Sequence, residues 1–263
     1  MYNIFHNFIH LLIIISIYNI MNNLKFNKIN TKVNFSKLML NSNKEVGAGA
    51  FGTVYKAYNG KHSNNKLVVK KTRKSIGLQF FSLIVNGKFQ GTMFDEEVKA
   101  LKYLSKEGIA PKIYYSNKEK MIYVIEKLDL TLFEILKQKK LTPIQLKSLI
   151  KLLKKLQTTP FIHNDLHDGN IMYNKKNKKF YVIDWGIFKL KKECFNSNTN
   201  KKTKKTSNIK PCYNFSKKNI IMLSNLFEYL ITKNDKKWNK GIKELLKLFN
   251  LRTINDARNI YNK

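Results

Sequence analysis

From Lys44 onward the chain alternates short apolar and β-branched runs with glycine, a pattern that predicts strands at Glu45–Val46, Thr53–Ala57 and Leu67–Val69. Residues 22–40, ahead of it, are polar with scattered apolar positions and read as a lead-in. In the stretch from Phe94 to Ser105, Phe94, Val98, Leu101 and Leu104 recur at helical spacing and predict a helix. Two strand-like runs follow, Lys112–Tyr115 and Met121–Glu126. Beyond Asp129 the period turns helical, over Leu130–Gln138 and then Thr142–Leu156. Thr142 can cap the second of these, and Pro143 takes the first helical position, where its missing N–H costs nothing. A hairpin is predicted from Ile171–Tyr173 and Phe180–Ile183, and a Lys/Asn/Thr-rich loop over residues 189–210. Helices at Ile220–Thr232 and Trp238–Phe249 complete the pattern. Strands first and helices later predict an α+β fold of two lobes, a small β-rich N-lobe over about 41–127 and a helical C-lobe over about 128–263.

Composition changes this picture in two places. A hydrophobic fraction of 43% over 263 residues is enough for a globular core, which excludes wholesale disorder. The formal net charge of +33 points to nucleic acid or an anionic surface. Yet only Arg73, Arg252 and Arg258 are arginines, and the lysines are scattered among Asn, Ile, Tyr and Phe. All of these residues have AT-rich codons, so a base bias accounts for the charge equally well. Cys194 and Cys212 show no CxxC spacing, which fits a reducing compartment and excludes a disulfide framework. Within the extension formed by residues 1–40, the run Phe8–Met21 is apolar but interrupted by His10 and Asn19. It is shorter than the roughly 20 residues that span a bilayer. No Lys or Arg precedes it, as a signal peptide would require. A weak anchor and a segment upstream of a true start at Met21 both remain open.

The chemistry is concentrated in three places. Gly47-Ala48-Gly49-Ala50-Phe51-Gly52-Thr53-Val54 lies between strand-like runs, and glycines there let backbone N–H groups approach phosphates. A dinucleotide fold would need a helix directly after the glycines, but Thr53–Ala57 is β-branched and aromatic. Lys70 closes the strand Leu67-Val68-Val69 and can neutralise phosphate charge if an acid holds it. Asp95, Glu96 and Glu97 all compete for that place; Glu97 is preferred because it borders the buried face set by Val98, Leu101 and Leu104. The third place is His163-Asn164-Asp165-Leu166-His167-Asp168-Gly169-Asn170, followed by Val182-Ile183-Asp184-Trp185-Gly186. Asp165 is a candidate base for a hydroxyl, and Asn170 and Asp184 offer hard oxygens suited to Mg²⁺. The intervening hairpin would bring those two together at its open end. A transition-metal site built from the His and Asp residues would leave the glycines and Lys70 without a role.

Taken in order, these residues resemble the protein kinase superfamily: G-x-G-x-F-G-x-V, the strand lysine, the helix glutamate, H-x-D-x-x-x-x-N and D-x-G. Within it they look most like divergent serine/threonine kinases of large DNA viruses, and the likeness runs from about Lys44 to Gly186. It implies a protein-kinase-like fold that uses ATP and Mg²⁺. Gly47, Ala48, Gly49, Phe51 and Gly52 would cover the triphosphate and Val54 would pack on adenine. Lys70, held by Glu97, would contact the α- and β-phosphates. Glu126 and Leu128 would offer backbone groups to adenine, with Met172 also in the nucleotide site. Asp165 would accept the proton of the attacking hydroxyl, and Asn170 and Asp184 would hold the metal.

The departures from the family pattern matter too. Asn164 stands where regulated kinases carry an arginine that pairs with an activation-loop phosphate, which implies independence from such phosphorylation. His167 replaces the lysine usually placed near the γ-phosphate, and the L-H-x-G-N form is also similar to aminoglycoside and choline phosphotransferases. Trp185 replaces the usual Phe. Lys210-Pro211-Cys212 is a poor substitute for Ala-Pro-Glu, and Asn219 falls where the family has a helix-anchoring Asp. The 189–210 loop holds eight lysines against Glu193, which would attract acidic peptides if it lay beside the catalytic residues. The expectation is a monomeric intracellular serine/threonine protein kinase, in host cytoplasm or virion if viral, acting on a protein substrate that the lysines would favour to be acidic. Nucleic acid is a secondary partner at most, and membrane association of residues 8–21 stays open. The alternatives are a small-molecule kinase and a silent kinase-fold binding module.

Overall fold

A computed structural model describes residues 38–49, 51–59, 62–73, 92–186, 188–190, 215–233 and 235–262. The extension over residues 1–37, most of the lysine-rich 189–210 segment, Lys210-Pro211-Cys212 and both cysteines lie outside the described residues. The chain divides into two compact units, one of residues 1–106 with 112–126, the other of residues 107–111 with 127–263.

The first unit is built on a five-stranded sheet of order β1-β2-β3-β5-β4 with antiparallel pairing throughout. Its strands are β1 (Leu38–Gly49), β2 (Gly52–Asn59), β3 (His62–Thr72), β4 (Ile113–Asn117) and β5 (Ile122–Glu126). The first three run well past the short apolar cores that predicted them, because pairing extends a strand through polar positions such as Ser63 and Asn64. One face of the sheet buries Ala57, Leu67, Val69, Ile122 and Val124, with Tyr114 and Tyr115 packed against them. Helix α1 (Met93–Lys106) buries Phe94, Val98, Leu101 and Leu104, the four positions whose spacing predicted it. Phe94 meets Tyr123 of β5 with ring centroids 6.2 Å apart.

The second unit begins with β6 (Leu130–Thr131) and α2 (Leu132–Lys137), followed by α3 (Pro143–Thr158). Both helices open on a capping box, Thr131 with Glu134 and Thr142 with Gln145, so two otherwise orphaned N–H groups are satisfied at each. Next come β7 (Phe161–Ile162), a single 3₁₀ turn at Asp168–Asn170, β8 (Ile171–Asn174), β9 (Lys179–Val182) and β10 (Lys189–Leu190). Strand β8 pairs with β6 on one side and β9 on the other, and β7 pairs with β10. Four helices follow: α4 (Lys217–Met222), α5 (Ser224–Ile231), α6 (Lys236–Leu248) and α7 (Ile254–Tyr261). The single helix expected over 220–232 is two, interrupted at Leu223, where ψ is 22° and the side chain is fully buried. Helix α7 was not anticipated, and Lys189–Leu190, expected within a loop, pairs as a short strand. Among the described residues no helix is long and apolar enough to cross a membrane.

Candidate active site

Sheet register sets the geometry of the first unit. Val54 pairs with Gly47 on one side and with Lys70 on the other, and Lys70 pairs with Tyr123. Directly opposed residues of antiparallel strands share a face, so Val54, Lys70 and Tyr123 project together. Lys70 Nζ reaches Glu97 Oε1 of α1 at 2.8 Å, and the Tyr123 hydroxyl donates to the same oxygen at 2.8 Å. Nζ also lies 5.7 Å from the centre of the Tyr123 ring. Lys70 and Glu97 are both buried. The rival acids are engaged elsewhere: Glu96 pairs with Lys99 at 2.9 Å, and Asp95 with Lys118 at 2.6 Å. Tyr123 carried no sequence signal beyond its place in an apolar strand.

The glycine run forms the turn between β1 and β2, where Gly49 pairs with Gly52 and Phe51 accepts the Arg73 N–H at 3.1 Å; Ala50 lies outside the described residues. The glycines have different reasons to be there. A β-carbon on Gly52 would come 2.5 Å from the Lys71 carbonyl oxygen, so the fold itself demands glycine. A β-carbon on Gly47 or Gly49 would meet nothing within 4 Å, and neither has a positive φ. Among the described residues no packing requires glycine at those two positions. Ala48 is exposed and pairs with Thr53. Glu126 gives its N–H to Lys112 at 2.8 Å, Leu128 is buried, and Met172 is half-buried on β8 opposite Thr131 and Tyr181.

In the second unit, backbone and side-chain bonds knit residues 163–184 together. His163 is buried edge-on against Trp185, with centroids 4.6 Å apart. Its Nδ1 accepts the Asp165 N–H at 3.2 Å, so Nε2 carries the proton and donates to the Ile183 carbonyl at 2.9 Å. Burial holds the imidazole below its usual pKa, although the Ile183 carbonyl and the charges of Asp184 and Asp165 oppose the shift. His163 therefore serves as a neutral strut joining the two motifs, a part the sequence alone did not assign it. Asn170 is buried; its side-chain N–H groups reach the Asp165 carbonyl at 2.9 Å and Asp165 Oδ2 at 3.4 Å. The Ile183 N–H bonds to the Asn170 carbonyl at 2.9 Å, which brings Asp184 to the open end of the β8–β9 hairpin beside Asn170. Asp184 itself is left-handed, with φ at 60°, a conformation costing of order 1–3 kcal/mol in a non-glycine residue. The Trp185 indole donates to the Val182 carbonyl at 3.0 Å, a bond that phenylalanine could not make.

Asp168 is the second residue the sequence did not single out. Its carboxyl is buried, and among the described residues neither oxygen makes a well-formed hydrogen bond, the Asn225 amide of α5 being at most a weak donor to it. Burial pushes its pKa up to about 6, with Asn225 of α5 favouring the charged form in opposition. Asn219, expected from the sequence to fall roughly where the family has its helix-anchoring Asp, caps α4 by accepting from the N–H and hydroxyl of Ser216. A cavity of about 730 Å³ elsewhere in this unit is lined by α2 and α5, including Phe133, Leu136 and Tyr229. None of the site residues expected from the sequence lines it.

The family described as "Protein kinase domain" matches residues 40–208, well over half of the chain. The chain belongs to the protein kinase family. Its α+β fold, with strands first and helices later, is that of the family, as the sequence pattern implied. Among curated relatives, a fowlpox virus protein named "Probable serine/threonine-protein kinase" is 27% identical over 55% of this chain and 51% of its own length. A Dictyostelium discoideum protein named "Probable cyclin-dependent kinase 8" is 30% identical over 56% of this chain and 39% of its own. Among solved structures, the kinase PK-1 of Cydia pomonella granulovirus is similar, with a TM-score of 0.41 and 21% identity over 59% of this chain and 53% of that one. The chain spans about half or less of the length of the curated relatives it matches.

Proposed function

We propose that this chain is an ATP- and Mg²⁺-dependent protein kinase that transfers the γ-phosphoryl group to serine or threonine hydroxyls. The observation that carries the reading is the arrangement of Asp165, Asn170 and Asp184: a half-buried carboxylate tied by the Asn170 amide, and a second carboxylate held in a costly left-handed turn beside it. The side-chain donor set fits Mg²⁺, because Asn170 spends its N–H groups on Asp165 and can turn its carbonyl oxygen to a metal together with Asp184. Gly47 and Gly49 fit a phosphate in the same way: they leave room where the chain itself needs none. When bound, Mg²⁺ and ATP supply the phosphoryl group and the positive charge that stabilises its transfer. The β1–β2 turn and Lys70, fixed by Glu97 and Tyr123, bind the phosphates; Val54, Glu126, Leu128 and Met172 receive the adenine. Asp165 orients the acceptor hydroxyl and takes its proton. Asn164 leaves no arginine for an activation-loop phosphate, and Lys218 donates to the Asn164 carbonyl at 3.2 Å instead. Phosphatase treatment should therefore leave the rate unchanged, and its abolition by such treatment would contradict this part of the reading.

The acceptor is a protein, with acidic segments favoured by the excess of lysine. His167 in place of lysine, with the L-H-x-G-N form, supports a second reading in which the acceptor is a small molecule. Labelled ATP offered with acidic and basic proteins, an aminoglycoside and choline separates the two. Label on protein supports the first reading. Label confined to a small molecule would replace it, and ATP binding without any transfer would leave a silent binding module.

A further inference from the structure

We propose that His167 is a positioning residue that holds the carboxylate of Asp165 and sorts its oxygens, Oδ2 as the held one and Oδ1 as the one that meets the acceptor hydroxyl. The proposal rests on the kinase reading above and assigns this histidine a task other than touching phosphate. Three observations carry it. His167 Nδ1 accepts the Gly169 N–H at 3.0 Å, so the proton of the neutral ring sits on Nε2. Nε2 lies 3.7 Å from Asp165 Oδ2, the oxygen that also faces the Asn170 amide at 3.4 Å. Finally, the ring lies over Gly169: a β-carbon there would come 2.8 Å from His167 Cε1 and 3.0 Å from Nδ1. Gly169 has no positive φ, so the ring's place, and not backbone freedom, accounts for the glycine.

A carboxylate is symmetric, and one held loosely presents either oxygen in any rotation. Here both neighbouring side-chain donors address Oδ2, and among the described residues none addresses Oδ1. The Nε2–Oδ2 separation exceeds a hydrogen bond, as catalytic contacts commonly do before substrate tightens them. Lysine on its flexible stem could swing to a phosphate. The imidazole, pinned at Nδ1 by backbone, has only its Nε2 edge to offer, and the nearest carboxylate oxygen to that nitrogen is Asp165 Oδ2 at 3.7 Å. No proton passes to His167; the hydroxyl proton goes to Oδ1.

The test compares steady-state transfer from ATP by the full chain and its His167→Ala, His167→Gln, Gly169→Ala and His167→Ala/Gly169→Ala variants. Misplacement of a catalytic group by about 1 Å costs roughly 10²-fold. His167→Ala should therefore lower kcat by about 10- to 100-fold with KM for ATP within about twofold. His167→Gln, whose amide N–H reaches the same place, should restore most of kcat. Gly169→Ala should lower kcat by displacing the ring, and should cost nothing more once the ring is gone. Unchanged kcat in His167→Ala, a rise in KM alone, or additive losses in the double variant would overturn the proposal. A wild-type chain with no transfer activity would refute the kinase reading instead. The His167–Asp165 contact is then read by ¹⁵N spectra of labelled histidine. An Nε2-protonated ring whose signals move in Asp165→Asn supports it, and an Nδ1-protonated or unmoved ring overturns it.

Discussion

Replacing Glu97 by Gln keeps the shape of the side chain and removes its charge, so the buried Lys70 ammonium loses the ionic part of its 2.8 Å contact with α1. Lys70 and Glu97 side chains are only 10% and 3% exposed, so water cannot take over the lost interaction. Breaking a buried pair by removing one charge costs about 3–5 kcal/mol. Gln retains an acceptor for Nζ and for the Tyr123 hydroxyl, which puts the expected loss at the low end, about 3 kcal/mol. Lys70→Met in the same chain removes the ammonium that Glu97 held, so the double variant should lose less than the two single losses added together, by about 1–3 kcal/mol. The assay must report the first unit, and tryptophan fluorescence does not: Trp185 and Trp238 both belong to the second. Hydrogen exchange at the β3 and β5 amides does report it. A loss of about 3 kcal/mol speeds exchange through unfolding of the unit roughly 10²-fold. Acceleration of less than about fivefold in Glu97→Gln, or strictly additive losses in the double variant, would refute the argument that this pair is a desolvated, mutually dependent unit.

Two further predictions follow from single groups. Asp168 has a folded-state pKa of about 6 against 3.8 in the unfolded chain, so its carboxyl favours the folded state when protonated; that contribution is complete below pH 3.8 and lost as pH rises through about 6. The gap corresponds to about 3 kcal/mol, so Asp168→Asn should raise Tm at pH 8 and lose that advantage towards pH 4; an equal effect at both values, or destabilisation at pH 8, would contradict it. Gly52→Ala must push a β-carbon against the Lys71 carbonyl and should cost about 1–3 kcal/mol in denaturant unfolding, whereas Gly49→Ala should leave stability within about 0.5 kcal/mol and raise KM for ATP. Equal stability losses in the two variants would remove the distinction between a glycine the fold requires and one a ligand requires.

Much of this was legible in the sequence because periodicity and short motifs act locally. The four-three-three spacing in α1 placed Glu97 at the margin of the buried face, and the structure puts that carboxylate on Lys70 across 27 residues of sequence. The capping of α3 by Thr142 was likewise a local signal. What the sequence could not show depends on tertiary packing. The break at Leu223 has no glycine or proline to announce it, and apolar positions continue on both sides of it, so the stretch reads as one helix. Helix α7 has one fully buried side chain, Ala257, so its apolar period is faint, although the Thr253–Asp256 capping box was there to be found. Strands β7 and β10 are two residues each, too short for any alternation to register. Asp168 and His163 stood in plain view within a motif. Their burial, which decides what they do, comes from helices and strands distant in sequence.

The central claim is that Asp165 is the base for phosphoryl transfer from ATP. Its most direct test is the rate of labelled γ-phosphate transfer with Mg²⁺ to protein acceptors, wild type against Asp165→Asn. Loss of a general base lowers the rate by about 10²–10⁴-fold, and the account predicts a fall in that range with nucleotide binding retained. An Asp165→Asn variant that labels protein as fast as the wild type would contradict it.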